Sequence, residues 1–385
     1  MPEPRLRRAA LLAGVAEGVV ATALPLLAAS VTRDPLAIAG VVAAQHAPWI
    51  VVALGWALVQ RPDRRTVVGL VHTVRALAVA YLGAATMANG DTILKIQLVA
   101  LVVGLGEALT GSVEDEAGDS RLSTRGMWGL ALVGMPLGGV LYEVFAAVPF
   151  LMDVLFFALA ALFALFVPRP VRAPAVARRA TRPKLARGTG TVALTALLSS
   201  AARAAVFGLL VLFALVDLGL GAPAFGLLLA GLAAATAAGG FVAPETGSAL
   251  GLKAGFAVAS IVSGAALVTA ARVADAEKPW TSAVALGIAW ATATTGAVLL
   301  RALLPAAAGR PVVGSALRAF HLAEWLGLCA GALVAGYLAR THAVADVIQL
   351  AAAPWLAAVV AVLFVRRRPA MELAEDSSIN WLDAA

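Results

Sequence analysis

Long apolar runs alternate with short polar breaks along the whole chain. A membrane-spanning helix needs about 20 consecutive, mostly apolar residues, and twelve runs reach that length. The breaks between them contain proline, glycine, asparagine or neighbouring charges, which are typical of helix ends and turns. The predicted spans are 9–30, 35–59, 66–88, 92–112, 126–146, 149–167, 189–216, 223–243, 251–271, 280–303, 312–338 and 343–365.

A basic segment at 168–188 interrupts this pattern in the middle of the chain. It contains seven basic residues, four prolines and no acid, a composition that favours an unpacked tether beside anionic lipid. The pattern therefore predicts an N-terminal six-helix bundle at 1–167, this linker, a C-terminal six-helix bundle at 189–366 and a tail at 367–385. Two bundles joined in this way are typical of transporters built from two parallel repeats.

Composition supports an all-α integral membrane protein. Hydrophobic residues make up 61% of the chain and charged residues 13%, whereas a soluble domain has about 45–50% and about 25%. The first apolar run contains Glu17 and continues to about Ser30, so we interpret it as the first spanning helix and not as a cleaved signal peptide.

The distribution of basic residues predicts the orientation in the membrane. With twelve spans, one face carries 21 of the 29 lysine and arginine residues and the other face carries five. Because cytoplasmic loops are enriched in these residues, both termini and the linker are predicted to be cytoplasmic, in the inner (plasma) membrane. The net charge of +7 is therefore explained by topology, and we expect no nucleic-acid partner.

Several kinds of chemistry are excluded or disfavoured. Cys329 is the only cysteine, so the chain cannot form an internal disulfide. The four histidines lack zinc-motif spacing, and no GxxxxGK[ST] phosphate-binding loop is present. We therefore expect no metal, no cofactor and no nucleotide hydrolysis. A membrane enzyme would depend on His342 and Asp346, the only candidate pair near one surface.

Local patterns in the first half resemble a known family. Helix 1 carries an acid, Glu17, and ends near Leu24-Pro25-Leu26, while helix 4 ends in GLGEAL with Glu107. The loop after helix 2 reads GWALVQRPDRRTVVGLVHTVRA, and helix 5 reads GMPLGGVL. These stretches resemble the major facilitator superfamily and, within it, the drug and siderophore exporter branch. The last two helices also fit that branch, whereas the second-half loop PETGSALGLK keeps little of the signature.

The resemblance implies a fold, a function and several residue roles. It implies twelve helices in two bundles and secondary transport by alternating access, most naturally proton-coupled export of a small molecule. The residues that it assigns to gating or helix packing are Asp63, Arg64, Arg65, Arg75, Glu107, Gly134, Gly138 and Gly139. Gly134 and Gly138 have a counterpart in Gly327 and Gly331, which lie on the fifth helix of the other half.

Charged residues inside the predicted spans are the candidates for the solute and proton pathway. Such a charge costs about 2.5–3.5 kcal/mol at the bilayer centre, so each needs a partner or water. At 1.5 Å per residue, Glu17 and Arg75 lie at similar depth, as do Arg203 and Glu324. Glu143 and Asp153 are expected near the outer ends of their spans, where water reaches them.

Helix 11 is the richest candidate surface. Arg318, His321 and Glu324 are spaced three residues apart, which places them on one side of the helix. A cation, an imidazole and a carboxylate on one side suit either a solute path or a polar stripe that packs between helices. Together with Glu17 and Arg203 they form the predicted substrate and proton pathway.

Two readings of function stay open at this point. The first is a monomeric, proton-coupled secondary transporter in the lipid bilayer, with a small-molecule substrate that the sequence does not identify. The alternative is a non-transporting sensor or assembly partner that retains the fold.

Overall fold

A computed structural model of the protein describes residues 4–59, 64–116, 120–166, 189–308 and 313–365. All regular elements in these ranges are helices. They are α1 (Pro4–Val31), α2 (Pro35–Val59), α3 (Arg64–Met87), α4 (Ile93–Glu116), α5 (Ser120–Val144), α6 (Val148–Leu165), α7 (Thr189–Leu212), a π-helical turn (Phe213–Asp217), α8 (Ala222–Leu250), α9 (Leu252–Arg272), α10 (Pro279–Ala302), α11 (Leu304–Ala308), α12 (Val313–Leu338), α13 (Val344–Leu350) and α14 (Ala352–Leu363).

The prediction of a loop from Pro244 in the second half is wrong, because α8 continues through this stretch to Leu250. The polar residues that suggest a loop satisfy their own helix, since the hydroxyl groups of Thr246 and Ser248 donate to carbonyls of the preceding turn. Only Gly251 separates α8 from α9, and its φ of 77° is a conformation that glycine adopts without steric cost.

The last predicted span, 343–365, is divided into α13 and α14 at Ala351. The end of the seventh span also departs from regular α geometry, because α7 passes into the π-helical turn. Such turns occur mostly as single-turn bulges. The short helix α11 lies in a stretch where the apolar pattern predicts only a break.

The described chain has the apolar surface of a membrane protein. Eleven helices are long and apolar enough to cross a membrane, and Leu132–Val144 adds a shorter apolar segment on α5. Large apolar side chains face outward on many of them, including Leu54, Val144 and Phe364, which are 71%, 75% and 71% exposed. Water-soluble proteins rarely expose apolar surface on this scale. The protein is therefore a multi-pass, all-α membrane protein.

The two halves repeat one packing scheme. In the first half α1 packs on α5 and α6, α3 on α4 and α6, and α2 on α4. In the second half the equivalent helices pair in the same way: α7 packs on α12 and α14, α9 on α10 and α14, and α8 on α10. The chain thus contains two six-span bundles related as repeats, with α13 and α14 together forming the sixth span of the second.

The halves meet through two equivalent helix pairs, α2 with α12 and α5 with α8. A Cβ atom added to Gly139 or Gly226 would lie 2.4 or 2.5 Å from a carbonyl oxygen of the other half. These contacts lie towards one end of the bundle. We name it the short-loop end, because the connections 32–34, 88–92, 145–147, 218–221, 273–278 and 339–343 lie there. The opposite end, where α6 ends and α7 begins, is the linker end.

Candidate functional site

A cluster of charged and amide groups lies inside the first half, where α1, α2, α3 and α4 face one another. We call Glu17, Gln45, Arg75 and Glu107 the N-half cluster. Arg75 Nη1 donates to Glu17 Oε1 at 3.0 Å, and Arg75 Nη2 lies 3.6 Å from Glu107 Oε1. Gln45 Nε2 donates to the same Glu107 oxygen at 3.2 Å. One guanidinium group therefore serves two carboxylates.

Arg75 is fully buried, whereas its two carboxylate partners are about a quarter exposed. Its guanidinium carbon lies 4.2 Å from the centre of the Phe157 ring, a cation–π distance. The buried His72 ring stacks on the Phe157 ring at a centroid distance of 6.0 Å. Phe157 on α6 therefore packs directly against the guanidinium group that pairs with the carboxylates.

Asp153 corrects an expectation from the sequence. It was expected near water at the end of its span, but it is fully buried on α6, a helix against which both α1 and α3 pack. Neither of its carboxyl oxygens has a hydrogen-bond partner among the described residues, and it lies within electrostatic range of Arg75. Glu143, by contrast, is exposed.

A second polar group occupies the other half. We call Arg203, Glu324, His321 and Arg301 the C-half chain, because in this order each member contacts the next. Arg203 Nη2 donates to Glu324 Oε1 at 3.3 Å, and His321 Nδ1 lies 3.4 Å from Glu324 Oε2. Arg301 Nη2 lies 2.8 Å from His321 Nε2. The side chains of Arg203, His321 and Glu324 are 22–28% exposed.

His321 lies between the two arginines of this chain. Guanidinium groups only donate hydrogen bonds, so His321 Nε2 is the acceptor in a hydrogen bond with Arg301, while Nδ1 faces Glu324. Two guanidinium groups thus accompany one carboxylate, the reverse of the ratio in the N-half cluster.

The remaining predicted site residues fall into two groups. Arg318 is exposed and makes no ion pair among the described residues, so the structure separates it from the C-half chain that its spacing suggests. Asp63 and the side chains of Arg64 and Arg65 lie outside the described residues. Their gating role stays a prediction.

The predicted glycines mark close helix approaches of two kinds. Gly134 and Gly138 on α5 face Val15 and Val19 of α1, within the first half, and a Cβ at Gly134 would lie 2.2 Å from the Val15 oxygen. Gly139 instead faces Ala222 of α8 in the other half. Adjacent residues on α5 therefore serve different interfaces.

The middle of α2 connects the two polar groups, a role that sequence reasoning missed. Gln45 bonds Glu107 of the N-half cluster, whereas the next residue, His46, lies within electrostatic range of Arg203 and 6.0 Å from the Trp325 ring. Trp49, one turn further, stacks on Trp325 at 4.5 Å. The only sequence signal was a Gln-His pair inside an otherwise apolar run.

An ion pair at the short-loop end also joins the halves. Arg340 Nε and Nη2 donate to the two carboxylate oxygens of Asp34 at 2.8 and 2.5 Å, a bidentate arrangement. We call this pair the latch. These hydrogen bonds hold the pKa of Asp34 below its usual value and raise that of Arg340. Asp34 precedes α2 and Arg340 follows α12, so the latch caps the α2–α12 interface.

Comparisons with known proteins agree with this architecture. No protein-family model matches the sequence, and no curated protein matches it. Among solved structures, the nucleoside transporter NupG, in a single-substitution mutant, superposes with a TM-score of 0.75 at 13% identity and covers 94% of this chain and 99% of its own.

Two further structures are similar. A bacterial homologue of the human lysosomal transporter Spinster, in an inward-facing and occupied conformation, has a TM-score of 0.72 at 12% identity, with 94% of this chain and 95% of its own covered. A bacterial homologue of the iron transporter ferroportin, in an inward-facing state, has a TM-score of 0.70 at 15% identity, with 94% and 97% covered. The chain therefore has the major facilitator-like fold; the exporter branch within it stays a prediction.

Proposed function

We propose that the protein is a secondary active transporter that moves a small molecule across the inner membrane by alternating access, coupled to protons and directed outward. The observation that carries this proposal is the arrangement of two repeated bundles that meet towards one end, each with a polar group inside it. Alternating access requires two bundles that rock about a site between them. Helix α2 bonds Glu107 of the N-half cluster and lies within electrostatic range of Arg203 in the C-half chain.

The orientation follows from the basic residues. If the linker and termini are cytoplasmic, as the 21-to-5 distribution indicates, the short-loop end faces outward, and the halves are joined there in an inward-facing state. Reporter fusions at Arg179 and Leu382 should both report the cytoplasm. A periplasmic signal at either position would overturn this topology.

Proton coupling is assigned to Glu17 or Glu324. A coupling group must take up a proton in one state and release it in another, and a carboxylate that shares an arginine can do so when the arginine moves. Arginine itself stays charged. Glu17 faces Arg75, which it shares with Glu107, and Glu324 faces Arg203 and His321.

The test uses purified protein in lipid vesicles and labelled antibiotics, siderophores, sugars, amino acids and nucleosides, with and without a pH gradient. At least one solute should accumulate only with the gradient. In Glu17→Gln or Glu324→Gln, gradient-driven accumulation of that solute should be lost while exchange at equal pH continues. Glu143→Gln removes an exposed acid and is the matched control.

Two outcomes would contradict the proposal. If no solute moves under any gradient, the sensor or assembly reading is favoured. If both variants keep full gradient dependence, the protein transports without these acids, and Glu17 and Glu324 serve only to balance Arg75 and Arg203.

A further inference from the structure

The C-half chain carries more positive than negative charge. It holds two guanidinium groups and one carboxylate: Arg203 is paired with Glu324, and Arg301 contacts the His321 ring. Arg301 therefore has an imidazole nitrogen and no carboxylate as its partner among the described residues. Arg318, one turn before His321, is also exposed without an ion pair in that part of the structure. At least one cation here lacks a counter-charge.

The surplus positive charge of the C-half chain is accessible to a ligand. Arg301 is exposed, and His321 is 28% exposed. Arg301 lies in the last turn of α10, at the linker end. A ligand that enters from the linker end would meet Arg301 first and could then reach Arg203, through the path that His321 and Glu324 mark between them.

Aromatic rings flank the same path. Trp325 follows Glu324 in the chain and stacks on Trp49 of the other half. Phe207 lies one turn along α7 from Arg203 and faces Trp290 of α10, with ring centroids 6.3 Å apart. All four rings are half-buried. Ligand sites typically combine such apolar and aromatic walls with a few fixed polar groups.

We propose that the solute is an organic oxyanion, a carboxylate or phosphate on an apolar or aromatic body, and that Arg301 and Arg203 of the C-half chain bind its anionic group. This rests on the proposed transport function, because it names the substrate class for the same interior. Guanidinium groups match carboxylate and phosphate through paired donors, and an anion would supply the missing counter-charge. His321 would then be free to turn its acceptor away from Arg301.

The test measures binding and not transport. Equilibrium dialysis of the purified protein at pH 7, in one buffer throughout, compares four labelled probes on one ring: benzoate, phenyl phosphate, benzylamine and benzyl alcohol. Benzoate and phenyl phosphate should bind saturably and compete with each other, whereas the amine and the alcohol should bind at least about tenfold more weakly.

The variants locate the site. Arg301→Gln should weaken benzoate binding about tenfold or more, and Arg301→Lys should recover part of the loss because the charge is retained. Arg272→Gln is the matched control, since Arg272 is an exposed base at the short-loop end whose partner is Gln349. It should leave benzoate affinity within twofold. Circular dichroism and the elution profile establish that each variant is folded.

Three outcomes would overturn the proposal: no saturable benzoate or phenyl phosphate binding, equal binding of the amine or the alcohol, or unchanged benzoate affinity in Arg301→Gln. A competing source of oxyanion is lipid. If phosphatidylglycerol in nanodiscs displaces benzoate and shows the same Arg301 dependence, the site is a headgroup site and the solute assignment fails. Because no gradient is used, loss of proton coupling in the vesicle assay would not affect this result.

Discussion

The N-half cluster and the C-half chain lie inside two repeated bundles, but their charges are opposite in balance. The first sets Glu17, Glu107 and the nearby Asp153 around Arg75, and the second sets Arg203 and Arg301 around Glu324. A surplus of carboxyl groups suits a site that takes up protons, whereas a surplus of guanidinium groups suits a site that binds an anion. The comparison suggests a division of labour between the halves.

The backbone packing, by contrast, is the same in both halves. Gly134 and Gly138 contact α1 at Val15 and Val19, and Gly327 contacts α7 at Leu197 in the equivalent way. In this register Glu17 corresponds to Ser199, so the acid of the first half has no counterpart in the second. The repeat therefore preserves the close helix approaches and leaves the chemistry of each half free to differ.

The largest expected effect is a difference in stability between variants of two arginines, Arg75 and Arg203. Arg75→Gln removes the one guanidinium shared by two carboxylates from a fully buried position, and breaking such a pair costs about 3–5 kcal/mol. Arg203→Gln removes a 26% exposed group, so a much smaller loss is expected. Thermal unfolding in detergent measures both. Adding Glu17→Gln to Arg75→Gln should restore part of the lost stability.

Equal destabilisation by the two arginine variants would contradict this difference in burial. If the double variant Arg75→Gln with Glu17→Gln were no more stable than Arg75→Gln, hydration alone would stabilise the Glu17 carboxylate without its arginine. In that case the contrast between a buried Arg75 and a partly exposed Arg203 would not govern the stability of the two groups.

The second test uses adjacent glycines on α5. Gly138→Ala would place Cβ 2.8 Å from the Val19 oxygen within the first half, and overpacking of this kind costs about 1–3 kcal/mol. Gly139→Ala would place Cβ 2.4 Å from the Ala222 oxygen in the other half. The first variant should lower the unfolding temperature, and the second should mainly push the halves apart at the short-loop end.

The native Cys329 reports that separation, because its Sγ contacts the Ala43 carbonyl across the α2–α12 interface at 3.6 Å. Maleimide labelling of Cys329 should become faster in Gly139→Ala and remain unchanged in Gly138→Ala. If both variants changed labelling equally, the halves would not move as separate bodies.

Replacement of Asp153 should change stability less, and the size of the change tests whether this residue balances the charge of Arg75. Neither of its oxygens has a hydrogen-bond partner among the described residues, so Asp153→Asn should change the free energy of unfolding by less than about 1 kcal/mol. A loss as large as that of Arg75→Gln would indicate that Asp153 is ionised and balances Arg75 directly. The surplus of acid in the first half would then be partly neutralised without a proton. Glu143→Gln is the exposed control.

Much of the fold follows from hydropathy alone, because each span must be apolar over about 20 residues whatever its neighbours are. The α8 boundary failed for a local reason: Thr246 and Ser248 can bond their own helix as well as form a loop. Depth along a helix allowed Glu17 to be matched with Arg75. It could not show the lateral packing that buries Asp153 on α6, nor Gln45 and His46 turning towards different halves.

The smallest effect concerns the latch, which belongs to neither polar group but holds the halves together. Asp34→Asn should speed Cys329 labelling on the order of two- to fivefold, because exposed ion pairs are weak; Arg33→Gln, the exposed neighbour, should not.

The lowered pKa of Asp34 means that the latch contribution is fully present above the ordinary aspartate pKa of about 3.9 and is lost only as pH falls through the lower folded value. Labelling of the native chain should therefore show no latch-dependent change between about pH 5 and 8. If Asp34→Asn abolished a pH response in that range, the pH-sensitive element would lie at the short-loop end, and the N-half cluster would lose its assigned role.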